Sequence, residues 1–182
     1  LYSQFKTASI SHIVQQAADA GGSIPMDIAA VLLALVALIK CAELPIHGWL
    51  IQVVEAPTPV SALLHAGIVN LGGILLLFFA PVLAASTVAC GLLVVLAGVS
   101  ATLAGLVSTT RISVKVKLAW STSSQMGLML VEIGLGLYEM ALLHLFAHSF
   151  YKSWSFLNSG NTVNHYLAAK LAGDIKPAIH HW

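Results

Sequence analysis

The sequence predicts an all-α, polytopic transmembrane helix bundle with a broken helix near residues 41–46, and three observations carry that prediction. Hydrophobic residues make up 58% of the 182 positions and charged residues only 8%, with a mean hydropathy of +0.90, which is no soluble globular composition. Several apolar runs exceed the roughly 18 residues needed to span a bilayer. Titratable residues sit inside those runs, and proline interrupts one of them at Pro45.

Residues 1–24 are moderately polar, and Ile10, Ile13, Val14, Ala17 and Ala18 fall on one helical face before Gly21-Gly22. They predict an interfacial or loop segment ahead of a bundle over residues 25–158, with residues 159–182 a polar tail. Pro25 suits the first turn of a helix running to Cys41, and Asp27 lies near its positive end. Pro45 lacks a backbone donor and clashes with the carbonyl four residues back, so the helix must kink or unwind just beyond Lys40 and resume from about Ile46 to Glu55.

A second span is expected from about Pro59 to Phe79. A third runs from Leu83 or Ser86 to Ser108, with Gly91, Gly98, Ser100, Ala101 and Gly105 permitting close helix contact. The fourth, about Leu118 to Leu137, carries Gln125 and Glu132, and the fifth runs from about Glu139 to Leu157. About five spans put the turn at 55–58, the loop at 109–117 and the tail on one face. That face holds Arg111, Lys115, Lys117, Lys170 and Lys176, which makes it cytoplasmic, whereas the other holds Lys6, Asp19 and Asp27.

Composition excludes some functions. The net charge of +1 offers no basic stripe for nucleic acid. Cys41 and Cys90 lie in apolar runs and read as packing residues. The chain starts at Leu1 without an initiator methionine or signal peptide, which predicts an internal piece of a longer polypeptide.

The chemistry concentrates in two places. In the fifth span His144, His148 and Lys152 recur every four residues, a step of about 40° and 6 Å, so they form one stripe along the helix. A charge at the centre of a span costs on the order of 2.5 to 3.5 kcal/mol, so three titratable groups in register are expected to serve as a proton wire. Histidine protonates near neutral pH, and desolvation makes lysine a usable proton exchanger. The alternatives are packing residues satisfied by hydrogen bonds, or a helical metal pair; the latter lacks the glutamate after the first histidine, and no metal ligand is assigned. In the first span Lys40 precedes the break, and Glu43, three residues on, is expected to pair with it. His47 and Glu55 follow on the second half-helix, with His65 in the next span. That pair is either static or one that opens and passes charge to His65 and then towards Lys152.

Three blocks in order, KCAELPIHGWLIQVVEAPTPVSALLHA, LAWSTSSQMG and HLFAHSFYKSWSFLNSG, resemble the proton-translocating membrane subunits shared by NADH:quinone oxidoreductase (subunit 5/L) and the multi-subunit Mrp cation/proton antiporters. The resemblance covers about residues 26–160 and implies that Lys40, His65 and Lys152 handle protons, linked by His144 and His148. Members of that family are considerably longer. HGWLIQVVEAPTPVSALLHAGIVNLGG, which contains Asn70, Glu132 in EIGLGLY and the closing YKSWSFLNSG depart from the respiratory pattern and are similar to the DabB-type inorganic carbon transporter subunits. That likeness implies a multi-pass subunit of the bacterial inner membrane that uses a proton or sodium gradient to drive a large cytoplasmic zinc carbonic-anhydrase-like (DabA-type) partner. The zinc belongs to the partner, and no cofactor is expected in this chain. The alternative it leaves open is a proton-pumping subunit of NADH:quinone oxidoreductase or a cation/proton antiporter.

Overall fold

The computed structural model describes residues 23–161 continuously, together with residues 9, 12, 13, 15, 16, 167, 168, 170 and 171. All regular secondary structure among them is helical. The expected interfacial helix depends on Ile10, Val14, Ala17, Ala18 and Gly21-Gly22, which lie outside the described residues, as does most of the tail.

Helix α1 (Ile24–Lys40) starts with proline in its first turn and Asp27 beside its amino end. It stops earlier than Pro45 alone requires. The amides of Ala42 and Glu43 donate back to the carbonyls of Ile39 and Leu38, and Ala42 takes φ 56°. That is a Schellman cap with alanine where glycine is usual, at a cost of about 1–2 kcal/mol. The chain then crosses the Leu44–Pro45 peptide, which is cis, and reaches α2 (Gly48–Gln52), which tightens into a 3₁₀ turn over Val53–Glu55. The expected second half-helix is therefore only this short.

The next span is two helices, α3 (Thr58–Ala66) and α4 (Leu71–Phe78), joined by a 3₁₀ turn over Ile68–Asn70. The side-chain Nδ2 of Asn70 donates to the Ala66 carbonyl at 2.7 Å, serving an acceptor that the turn releases. The sequence reading expected a continuous helix here. The expected end of the span at about Phe79 agrees with the end of α4 at Phe78, after which proline opens the short α5 (Ala80–Ala84). Ser86 caps α6 (Thr87–Thr110) by accepting from the Ala89 amide.

Helix α7 (Val114–Gly134) turns through Leu135–Leu137 into α8 (Tyr138–Ser159). Gly136, at φ 79°, supplies the left-handed residue of a second Schellman cap, with the Leu137 amide donating to the Glu132 carbonyl. That cap ends the fourth span at Gly134, three residues before the expected Leu137.

Thr58–Phe78, 21 residues, and Thr87–Thr110, 24 residues, are each long and apolar enough to cross a membrane. Helices α7 and α8 match them in length, at 21 and 22 residues, but carry polar groups that lower their hydropathy. Several of those groups are turned inwards. On α8, Phe146, Phe150 and Trp154 face out, while His148 and Lys152 are buried; on α7 Thr122 and Ser123 are buried, and the exposed large hydrophobic side chains across the described residues are chiefly Leu, Val and Ile. A surface more apolar than parts of the interior is the arrangement lipid favours. The Lys115 ammonium donates to the carbonyls of Val54 and Ala56, and Gly160 lies against Thr58, so the 55–58 turn, the 109–117 loop and the end of α8 share one end of the bundle.

Helices α6 and α7 form the most extensive pair, and glycine lets their backbones approach. A Cβ on Gly127 would lie 2.8 Å from the Ala97 carbonyl oxygen and 2.9 Å from the Ala101 Cβ. Gly127→Ala should therefore destabilise the full-length protein by about 1–3 kcal/mol, as overpacking does. Gly91→Ala, whose Cβ meets nothing within 4 Å, should be neutral or stabilise by up to about 1 kcal/mol. Thermal unfolding in detergent checks both; equal effects would show that the α6–α7 approach is not close-packed.

Candidate functional site: a buried polar row across the bundle

The row begins at the α7–α8 turn. Glu132, two residues before the end of α7, faces His144 across the turn, and His144 Nδ1 lies 3.1 and 3.2 Å from the two carboxylate oxygens. This ion pair is half-buried, and it is the one among the described residues within 4.0 Å. His148 follows one turn along, its ring centroid 6.3 Å from that of His144, and is buried.

Lys152 comes a turn later with no exposed surface. Its ammonium donates to Ser121 Oγ at 2.8 Å and to the Leu118 carbonyl at 3.2 Å, both on α7, and lies 5.8 Å from the Tyr151 ring centroid. No carboxylate lies within 4.0 Å of it among the described residues. His65 of α3 is also fully buried, stacked on Phe156 with centroids 4.4 Å apart and planes 16° from parallel. His65, His148 and Lys152 are close enough to feel one another's charge. From His144 to Lys152 the row runs about 12 Å along α8.

Asn70 joins the row from the side, donating to Ser149 Oγ at 2.7 Å and so tying the kink between α3 and α4 to α8. The ring nitrogens of His65 and His148 and the Asn70 side-chain carbonyl oxygen have no hydrogen-bond partner among the described residues. Enclosed polar groups of that kind call for an explanation beyond packing. Each imidazole can both accept and release a proton, whereas the Asn70 carbonyl oxygen can only accept a hydrogen bond.

The break at residues 41–46 is the second polar region, and here the expected Lys40–Glu43 pair is corrected. The two side chains do not come within 4.0 Å. The Schellman cap reverses the chain between them, leaving Lys40 exposed on the outer face of α1 beside Ile39, Trp49 and Ile68, and turning Glu43 inwards to 2% exposure. No hydrogen bond joins Lys40 to His65 among the described residues. His47 packs on Trp120 at 4.6 Å between centroids, with the Arg111 guanidinium 5.7 Å from the same ring. Glu55 and Gln125 are exposed and make no side-chain hydrogen bond among the described residues.

Sequence reasoning missed Phe156, although it extends the His144–His148–Lys152 spacing by another four. It also missed Ser121 and Ser149, serines among many whose partners only the packing reveals.

A helical bundle with a broken helix and an enclosed His–Lys row defines a polytopic membrane protein with titratable groups in its interior. The chain belongs to the transmembrane family described as NADH:quinone oxidoreductase/Mrp antiporter, which it matches over residues 1–172. It is 56% identical over 183 residues to the probable inorganic carbon transporter subunit DabB of Hydrogenovibrio crunogenus, covering all of this chain and 35% of that protein. It is 48% identical over 149 residues to DabB2 of Halothiobacillus neapolitanus, covering 82% of this chain and 27% of that one. It is also 35% identical over 150 residues to NADH-ubiquinone oxidoreductase chain 5 of Candida parapsilosis, covering 79% of this chain and 26% of that one. The chain thus spans between about a quarter and about a third of the length of the curated relatives it matches.

The Glu132–His144 contact can be tested by a double-mutant cycle. Glu132→Gln and His144→Gln should each destabilise, and the double variant should cost less than their sum by about 0.5–3 kcal/mol, the range for residues in contact. Additive losses in denaturation of the full-length protein would mean that the pair is not coupled.

Proposed function

We propose that this chain is the ion-translocating part of a subunit that couples a proton or sodium gradient to accumulation of inorganic carbon in the bacterial inner membrane. The observation that carries the proposal is the enclosed row Glu132–His144–His148–Lys152–His65. Lys152 is held by one hydroxyl and one carbonyl and has no carboxylate counter-charge within 4.0 Å among the described residues, so its charge state answers to whatever charge arrives next to it. A proton passed along the histidines to Lys152 changes the field at His65, and through Ser149 and Asn70 the α3–α4 kink is mechanically tied to the same helix. One charge crossing 100 mV supplies about 2.3 kcal/mol, enough for well over a tenfold bias per ion.

The carbon chemistry in this reading belongs to a large cytoplasmic zinc protein of the carbonic-anhydrase type that hydrates CO2 to bicarbonate. That partner is what the resemblance to DabB-type subunits implies; the two DabB relatives, named as probable inorganic carbon transporter subunits, support the carbon-transport part of the reading. The likeness to NADH-ubiquinone oxidoreductase chain 5 favours a second reading, a proton-pumping subunit of a respiratory complex.

Replacing Lys152 by alanine in the full-length parent should lower gradient-driven bicarbonate accumulation by at least about tenfold, the bias that one ion supplies, while the complex still assembles. Full retention of transport would sink the proposal. Purification of the full-length parent from native membranes in mild detergent, with metal analysis, separates the two readings: a large zinc protein supports carbon uptake, and an assembly with flavin and iron supports respiration.

A further inference from the structure

Glu43 is the most enclosed acidic side chain among the described residues, at 2% exposure; the Ser100 side chain lies beside its carboxylate, and no well-formed hydrogen bond reaches either oxygen among the described residues. It lies at mid-depth. The amide of Leu44, the next residue, donates to Ser100 Oγ near the midpoint of α6 at 2.8 Å, and the carbonyl of Ala42, the residue before, accepts from Ser123 Oγ near the midpoint of α7 at 3.1 Å. A bare carboxylate at that depth is costly, and it must be neutralised by a proton or a cation.

The surroundings supply oxygen and no positive charge. Ser100 on α6 neighbours the carboxylate, α7 contributes the Ser123 hydroxyl beside Ala42, and among the described residues the one other titratable group within electrostatic reach is the Cys41 thiol. Lys40 points away and His47 lies against Trp120. The break also frees backbone oxygen: Pro45 has no amide to offer the Cys41 carbonyl, and the Leu44 amide that a helix would give Lys40 goes to Ser100. A single carboxylate with hydroxyl and carbonyl neighbours suits a monovalent ion; a divalent cation would call for further acidic ligands.

We infer that Glu43 is an ion-exchange site in its own right, whose carboxylate takes up and releases a proton or a sodium ion inside the helix break. The inference rests on the proposed ion-coupled function and deepens it, because it assigns the ion held at the break to Glu43 and not to Lys40.

The test reads the melting temperature of the full-length parent in detergent against Na+, with choline keeping the ionic strength constant, and against pH. An ion bound only by the folded state raises the melting temperature with its concentration. If Glu43 holds sodium, the wild type gains stability as Na+ replaces choline and Glu43→Gln loses that response. If it holds a proton, the wild type ignores Na+, its melting temperature rises as pH falls, and Glu43→Gln loses that component. Identical Na+ and pH responses in wild type and Glu43→Gln overturn the inference. Should Glu43→Gln fail to assemble, Glu43→Asp decides: a displaced Na+ or pH midpoint supports the site, and an unchanged one overturns it. These readings do not depend on carbon transport, so a Glu43-dependent ion response in a protein without gradient-driven bicarbonate accumulation would overturn the proposed function and leave the Glu43 site standing.

Discussion

Enclosing a lysine inside a lipid-facing bundle is the constraint from which much of this structure follows. Lys152 has no exposed surface, and what makes its position tolerable is oxygen from α7: the Ser121 hydroxyl and the Leu118 carbonyl. For α7 to offer them it must lie close along α8, which the tight Leu135–Leu137 turn enforces from one end. The same turn brings Glu132 opposite His144, so one capping motif creates both the close approach and the half-buried ion pair where the row begins. The polar row and the helix packing are two consequences of one piece of backbone geometry.

The broken span answers a related constraint. Backbone groups inside a membrane protein must find partners, and irregular backbone survives only where protein or a polar cavity supplies them. Here α6 and α7 supply them through Ser100 and Ser123, which hold one side of the break against these two helices. The second irregularity, between α3 and α4, is met from within by Asn70, which serves the Ala66 carbonyl and reaches Ser149 on α8. Each interruption thus connects a span to a neighbour that carries, or packs beside, the titratable groups.

The all-helical class and the interruption near Pro45 were legible because hydropathy and a missing amide are properties of the sequence itself. So was the His144–His148–Lys152 stripe, since helical spacing alone aligns it. The direction of Glu43 was not legible. Spacing of three places Lys40 and Glu43 together only while the helix continues, and the left-handed Ala42, which no glycine announces, sends them apart. The kink at Ile68–Asn70 was hidden for a similar reason: Gly67 and Asn70 each occur in unbroken membrane helices, and what decides here is a side-chain bond across to α8. Glu132 was singled out as unusual, but its partner lay twelve residues away across a turn whose end the sequence placed three residues late.

The account's central claim is that the enclosed histidines change protonation when the ion gradient changes. Infrared difference spectroscopy of the full-length protein carrying isotope-labelled histidine, recorded across an imposed pH or sodium step, tests it most directly. The account predicts imidazole bands that move with the label and disappear when His148 or His65 is replaced. A difference spectrum without any histidine contribution, in a sample that still responds to the step, would contradict it.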